Sequence, residues 1–256
     1  MTRPQRPVKL VDPDNPYDLR WLSDEAIEAE AELLLATYET KHGPITDLVV
    51  PIEDIAEVHF KLVIEHRDLQ AELESPSVFG AIDFLDRKIC VDFRLDTSLN
   101  PRMDGRCRFT LAHEIAHWHL HRDAWFKRHG GERLPGWEEQ PRLVCRDGAK
   151  GRHEWQANAF AAPLLMRRRQ VLAVWCSTYG HDPIALAAQR QRETDIVDAE
   201  MAVRAVYPPS REALDDLLLE NAARPLAEQF RVSPQAMRRR LESIGLLTRS
   251  TEARLL

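Results

Sequence analysis

The chain has 256 residues, enough to bury a full hydrophobic core as one domain with an appendage or as two small domains. A formal net charge of −6 argues against a globally basic nucleic-acid binder. The four cysteines, Cys90, Cys107, Cys145 and Cys176, are scattered without a CxxC pair, so neither a disulfide framework nor a cysteine zinc site is indicated.

Residues 1–22 carry Pro4, Pro7, Pro13 and Pro16 and no apolar run. They read as a flexible arm, with neither a signal peptide nor a membrane anchor, and a cytoplasmic protein with reduced thiols is expected. At Ser23 the pattern changes: a capping serine with Asp24 and Glu25 behind it opens an Ala, Glu and Leu-rich helix to about Lys41. A short helix follows over 51–58, with Pro51 in its first turn. Three β-like runs, 59–66, 77–85 and 88–95, the last two joined at Asp86 and Arg87, predict a small antiparallel sheet. Both its faces carry apolar groups, and helices are expected to cover one of them. The remainder reads mainly as helix, over 106–123, 153–162, 170–179, 184–206 and from 211 onward. The stretch 124–152, rich in Gly, Pro, Arg and Glu with Trp125, Phe126 and Trp137 embedded, reads as a long loop. The fold class is α+β.

The strongest chemical signal lies in the run Phe109 to His117, which contains His-Glu-Ile-Ala-His on a mostly apolar helix. Residues four apart stand one above the other on a helix, so His113 and His117 can aim both imidazoles at one zinc ion while Glu114 stands beside them as a base for its water. Two histidines and a glutamate on such a helix cost free energy unless something satisfies them, and metal ligation would. A catalytic zinc needs a third protein ligand. Three candidates compete: Asp123, where an extended motif would place it but without the preceding glycine, since Leu120 stands there; His121, one turn beyond His117; and Glu154. Three ligands on successive turns of one straight helix span about 12 Å, which disfavours His121. Glu154 opens a helix with Ala157, Ala159, Ala161 and Ala162, small enough to lie close against the motif helix. Asn158, one turn on, can accept the N–H of a ligating histidine and fix its tautomer.

Together the segments 108–121 and 154–166 resemble the ImmA/IrrE family of metallo-endopeptidases. The likeness extends to the preceding sheet and, more loosely, to 226–241, so it covers roughly 52–247. It implies zinc as the cofactor, His113, His117 and Glu154 as its ligands, Glu114 as catalytic base, and a helix-turn-helix transcriptional repressor as the protein substrate. The chain departs from the family at Pro163 and at Arg167, where such chains often have proline, and the helix is expected to end near 162.

Residues 226–247 read as a helix, a turn at 231–233 and a second helix capped by Ser233 with Pro234 at its first position. The expected division is an arm (1–22), a metallopeptidase domain (23–206) and a helix-turn-helix-like segment (207–256). Arg238 and Arg239 are candidate DNA contacts. Two readings follow: a peptidase that cuts a repressor, and a DNA-binding regulator whose metal site is structural or degenerate. Because a peptidase must take its substrate in extended form, the first reading expects 77–85 or 88–95 to supply a free sheet edge beside the metal.

Overall fold

The computed structural model describes residues 14–15, 17–129, 143–146, 151–192 and 210–249. Helix α1 (Asp24–His42) starts where the Ser23 side chain accepts a hydrogen bond from the Ala26 N–H, and it buries Ile27, Ala31, Leu34, Leu35 and Tyr38. A turn of helix α2 (Ile52–Asp54) runs into a π-helical turn (Ile55–His59). Strand β1 (Val63–Arg67), short helix α3 (Leu69–Glu72), and strands β2 (Val78–Asp83) and β3 (Lys88–Asp92) come next. Helix α4 (Asp104–Ala116) passes through a π-helical turn (His117–His121) into α5 (Arg122–His129). Strand β4 (Leu143–Arg146), α6 (Arg152–Leu165), α7 (Arg168–Tyr179), β5 (Ile184–Ala185), α8 (Leu186–Arg192), α9 (Arg211–Phe230), α10 (Pro234–Ser243) and β6 (Leu247–Thr248) complete the described chain. The fold is α+β.

The main sheet has four strands in the order β1-β3-β2-β4. It is mixed, which corrects the antiparallel expectation: β1 runs parallel to β3, while β2 is antiparallel to both β3 and β4. The chain leaves β1 through α3 and crosses to β2, so the hairpin partner β3 lies between them. The expected edge is corrected as well. Both β2 and β3 are interior, because Leu143–Arg146, read as loop, bonds to the side of β2 that β3 leaves free. Helices cover both faces rather than one: Ile82, Ile89 and Val91 join the main core beneath α4, while Ala81 and Cys90 pack with Leu69 of α3.

Two further expectations change. Residues 122–129 are helical, and Trp125 is buried with its ring 5.1 Å from Phe84, so this part of the presumed loop caps the core; Trp137 lies outside the described residues. Helix α6 continues through Pro163 to Leu165. The arm is attached where it is described: the Asp14 carbonyl accepts from Arg152 N–H at 2.7 Å, the Leu19 carbonyl from Arg152 Nη1 at 2.7 Å, and Trp21 stacks on Trp155 at 4.7 Å.

The C-terminal helices share the main core through Leu226, Phe230, Met237 and Leu241. Their turn is tied to α4: Arg231, in the left-handed region at φ 51°, donates to the Asp104 carboxylate at 2.8 and 2.9 Å. Arg238 as a DNA contact is corrected. It is 4 % exposed and its guanidinium is shared by Asp216, Glu220 and Glu242 at 3.0, 3.3 and 2.9 Å. Arg240 is likewise inside, against Glu28 and the Met166 carbonyl. Arg239 alone of the three points to solvent.

Gly105 is what lets α4 meet this turn, for a Cβ there would lie 2.7 Å from the Ser233 nitrogen and 2.8 Å from the Val232 carbonyl carbon. Backbone cannot give way as a side chain does. Gly105→Ala is expected to lower stability by about 1–3 kcal/mol, as overpacking does, read as a shift in the urea unfolding midpoint.

Candidate metal centre

Helix α4 lies on the sheet and α6 lies against α4. Ala112 and Ala116 on α4 and Ala157 and Ala161 on α6 are fully buried, so the two backbones approach closely. That approach brings Glu154, in the first turn of α6, to the histidines of α4. His113 Nε2 stands 2.9 Å from His117 Nε2, with Glu154 Oε2 3.3 Å from the first and Oε1 3.6 Å from the second. Among the described residues these three offer donor atoms all within 4.8 Å of one another, and they expose only 1 %, 0 % and 3 % of their surfaces. The other two candidates lie elsewhere. Asp123 is 89 % exposed and pairs with Arg122, and His121 reaches His117 from behind.

Asn158, otherwise exposed, places Oδ1 3.1 Å from His113 Nδ1. An amide oxygen only accepts, so His113 donates from Nδ1, which in the neutral ring leaves Nε2 bare. That bare nitrogen faces a second imidazole nitrogen and a carboxylate in an enclosed space. Buried acceptors crowded together without a donor are costly, and a cation among them removes the cost. A set of two imidazoles and one carboxylate fits zinc.

Glu114 stands next to His113 and is wholly buried, and neither of its carboxylate oxygens has a hydrogen-bond partner among the described residues. Burial first, and then the Glu154 charge, raise its pKa well above the usual carboxylate value. Its far side rests on Gly80 of β2, where a Cβ would lie 2.5 Å from Oε1. Burial, with the neighbouring His113, His121 and His153, holds the pKa of His117 well below its ordinary value, and burial lowers that of His121 to about 3. A bound dication adds to these a charge larger than any of them.

The residues that sequence reasoning missed lie around this centre. His153 puts Nε2 3.5 Å from Glu154 Oε1 and packs edge-on to Tyr17 at 5.4 Å. Gln156 binds His121 at 3.0 Å. Their adjacency to Glu154 in the chain was the only available signal, since the fold had yet to show which face of α6 turns inward. His119, by contrast, leaves the centre and meets Glu30 of α1 at 3.4 Å.

Glu114 carries a linked prediction for the protein kept in a chelator. A carboxyl whose folded pKa is raised stabilises the fold below its ordinary pKa, and that stability is lost as pH rises through the raised value. Thermal melts of the wild type should therefore fall as pH climbs above the usual carboxylate range, and Glu114→Gln, which cannot ionise, should flatten that part of the curve. An identical slope in both proteins contradicts the burial cost.

Residues 98–189 match the family model Peptidase_M78, described as the IrrE N-terminal-like domain. No curated protein matches the chain. The matched stretch holds α4, its π turn and α6, and thus every residue of the His113, His117 and Glu154 cluster. Over these residues, a little over a third of the chain, the protein is similar to the IrrE N-terminal-like domain of that peptidase family.

Proposed function

We propose that the protein is a zinc-dependent endopeptidase that cuts a helix-turn-helix transcriptional repressor and so releases the genes it silences. The observation that carries the chemistry is the convergence of His113, His117 and Glu154 with the carboxylate of Glu114 beside them, which has no hydrogen-bond partner among the described residues. The family match supports the reaction class, a peptidase acting on a protein. The repressor as substrate rests on the resemblance of the two motifs. Among the described residues no helix is long and apolar enough to cross a membrane.

In this reading His113, His117 and Glu154 hold the ion. Zinc bound there would lower the pKa of its water toward neutrality and polarise the scissile carbonyl. Glu114 would accept one proton from the attacking water as the water oxygen bonds to the carbonyl carbon, and the same carboxyl would return that proton to the amide nitrogen as the carbon–nitrogen bond breaks. A single carboxyl placed beside the reacting atoms can take both roles in turn, first as base and then as acid. Asn158 keeps the His113 ring turned toward the ion. Gly80 leaves the space that Glu114 occupies. The rival reading, a DNA-binding regulator, loses Arg238 to its three internal carboxylates and keeps only Arg239 on the surface.

Metal analysis of the purified protein should find close to one zinc per chain, with affinity sharply reduced in each of His113→Ala, His117→Ala and Glu154→Ala. Full occupancy in Glu154→Ala would remove that residue from the site. Glu114→Gln should keep its zinc and lose a factor of about 10² to 10⁴ in peptide hydrolysis, the usual cost of a missing general base. Gly80→Ala should also keep zinc but lose activity, because its methyl group displaces the Glu114 carboxylate. The substrate is tested by incubating the protein with a helix-turn-helix repressor encoded beside it: cleavage that the Glu114→Gln variant lacks is expected, and an intact repressor denies that identity while leaving the zinc results standing.

A further inference from the structure

The hydrogen bonds behind His117 have one consistent set of directions, and a backbone carbonyl sets them. The Arg20 carbonyl can only accept, so Gln156 meets it with Nε2, at 2.7 Å. Gln156 thereby turns Oε1 toward Nε2 of His121, 3.0 Å away. An amide oxygen also only accepts, so the His121 proton sits on Nε2. His121 is 1 % exposed and, among the described residues, has no carboxylate as a hydrogen-bond partner, conditions under which an imidazole stays neutral. Its Nδ1 is therefore bare, and it lies 2.9 Å from Nδ1 of His117. His117 must donate across that contact. Its proton is on Nδ1, and its Nε2, the atom that faces His113 and Glu154, keeps a free lone pair. Reversing any one step would set two acceptors against each other further along, ending with the Gln156 oxygen against the Arg20 oxygen.

We propose that the segment before α1 is a positioning element of the metal centre: the Arg20 carbonyl, acting through Gln156 and His121, holds His117 in the Nδ1–H tautomer that ligation through Nε2 requires. The proposal rests on the assignment of His117 as a ligand made above. Two features suit the segment to this task. It is pinned to α6 on either side of Arg20, by the Arg152 bond to the Leu19 carbonyl and by the Trp21 stack on Trp155. The π-helical turn over His117–His121 lies where the helix carries His121 onto the His117 ring, with centroids 5.0 Å apart, and such turns inside α-helices are frequent at functional sites. His121 and Gln156 are positioning residues, acting on the ion only through His117.

Long-range proton–nitrogen NMR spectra of the full chain in chelator read the tautomers directly. The expected result is a proton on Nε2 of His121 and on Nδ1 of His117; a His121 protonated on Nδ1 overturns the relay. Zinc affinity, measured by competition with a chromophoric chelator, is expected to fall about 10- to 100-fold in His121→Leu, the usual effect of losing a group that orients a ligand. His121→Asn, whose Oδ1 can accept from His117 where Nδ1 did, should stay within a few-fold of the wild type. Gln156→Leu leaves His121 in place and should give it mixed tautomers and a several-fold weaker zinc site, which keeps the test open if His121→Leu does not fold. Unchanged affinity in the folded leucine variants overturns the proposal. If the wild type binds no zinc, the ligand assignment fails instead, and the tautomers of the metal-free protein still decide the relay.

Discussion

Helices α4 and α6 lie against each other with small alanines buried on both, and that packing brings Glu154 in front of His113 and His117. Larger residues at Ala112, Ala116, Ala157 or Ala161 would hold the backbones apart, and Glu154 would then be an ordinary first-turn glutamate. Burying two imidazoles and two carboxylates in an apolar helix contact opposes folding unless each group is paired. The rest of the molecule supplies the rigidity to hold them there. The sheet supports α4 from below, α1 runs along α6, and the C-terminal helices join the same core.

The pairing is uneven in a way that separates the roles of these groups. His113 and His117 each have a partner behind the ring, an asparagine side chain in one case and a second histidine in the other. Glu154 lies among three imidazoles, whereas Glu114 has no hydrogen-bond partner at either oxygen among the described residues. A folded protein tolerates an unsatisfied buried carboxylate only where surrounding structure leaves it no alternative, and such local inconsistencies mark working sites. Here the constraint is double: α4 fixes the Glu114 backbone, and the missing side chain of Gly80 leaves space for its carboxylate against the strand.

The C-terminal pair shows how a local pattern can be right about conformation and silent about use. Its turn, its Ser233 cap and the helix after Pro234 all form as the residues dictate. Three consecutive arginines nevertheless point in three directions on a helix. Acidic groups on α9 and α10 claim Arg238, and Glu28 of α1 claims Arg240. A charge run counted along the chain therefore overstates the charge that reaches the surface. At the turn Arg231 adopts a left-handed backbone while its side chain bonds Asp104.

What the sequence determined by itself is whatever depends on spacing within one helix or turn. The four-residue interval of His113 and His117 sets both on one helix face, Ser23 and Ser233 start their helices, and the alanines of α6 announce a close neighbour, because these effects act within a few residues. Only the tertiary structure decided the matters that join distant segments. The strand at 143–146 was hidden in a charged stretch, since four residues carry too little pattern until β2 offers them hydrogen bonds. The parallel pairing of β1 with β3 follows from a crossover that no local signal encodes. The arm read as loose because it has no core of its own, yet its carbonyls are used by α6, and a backbone acceptor leaves no trace in the identity of the residue that bears it.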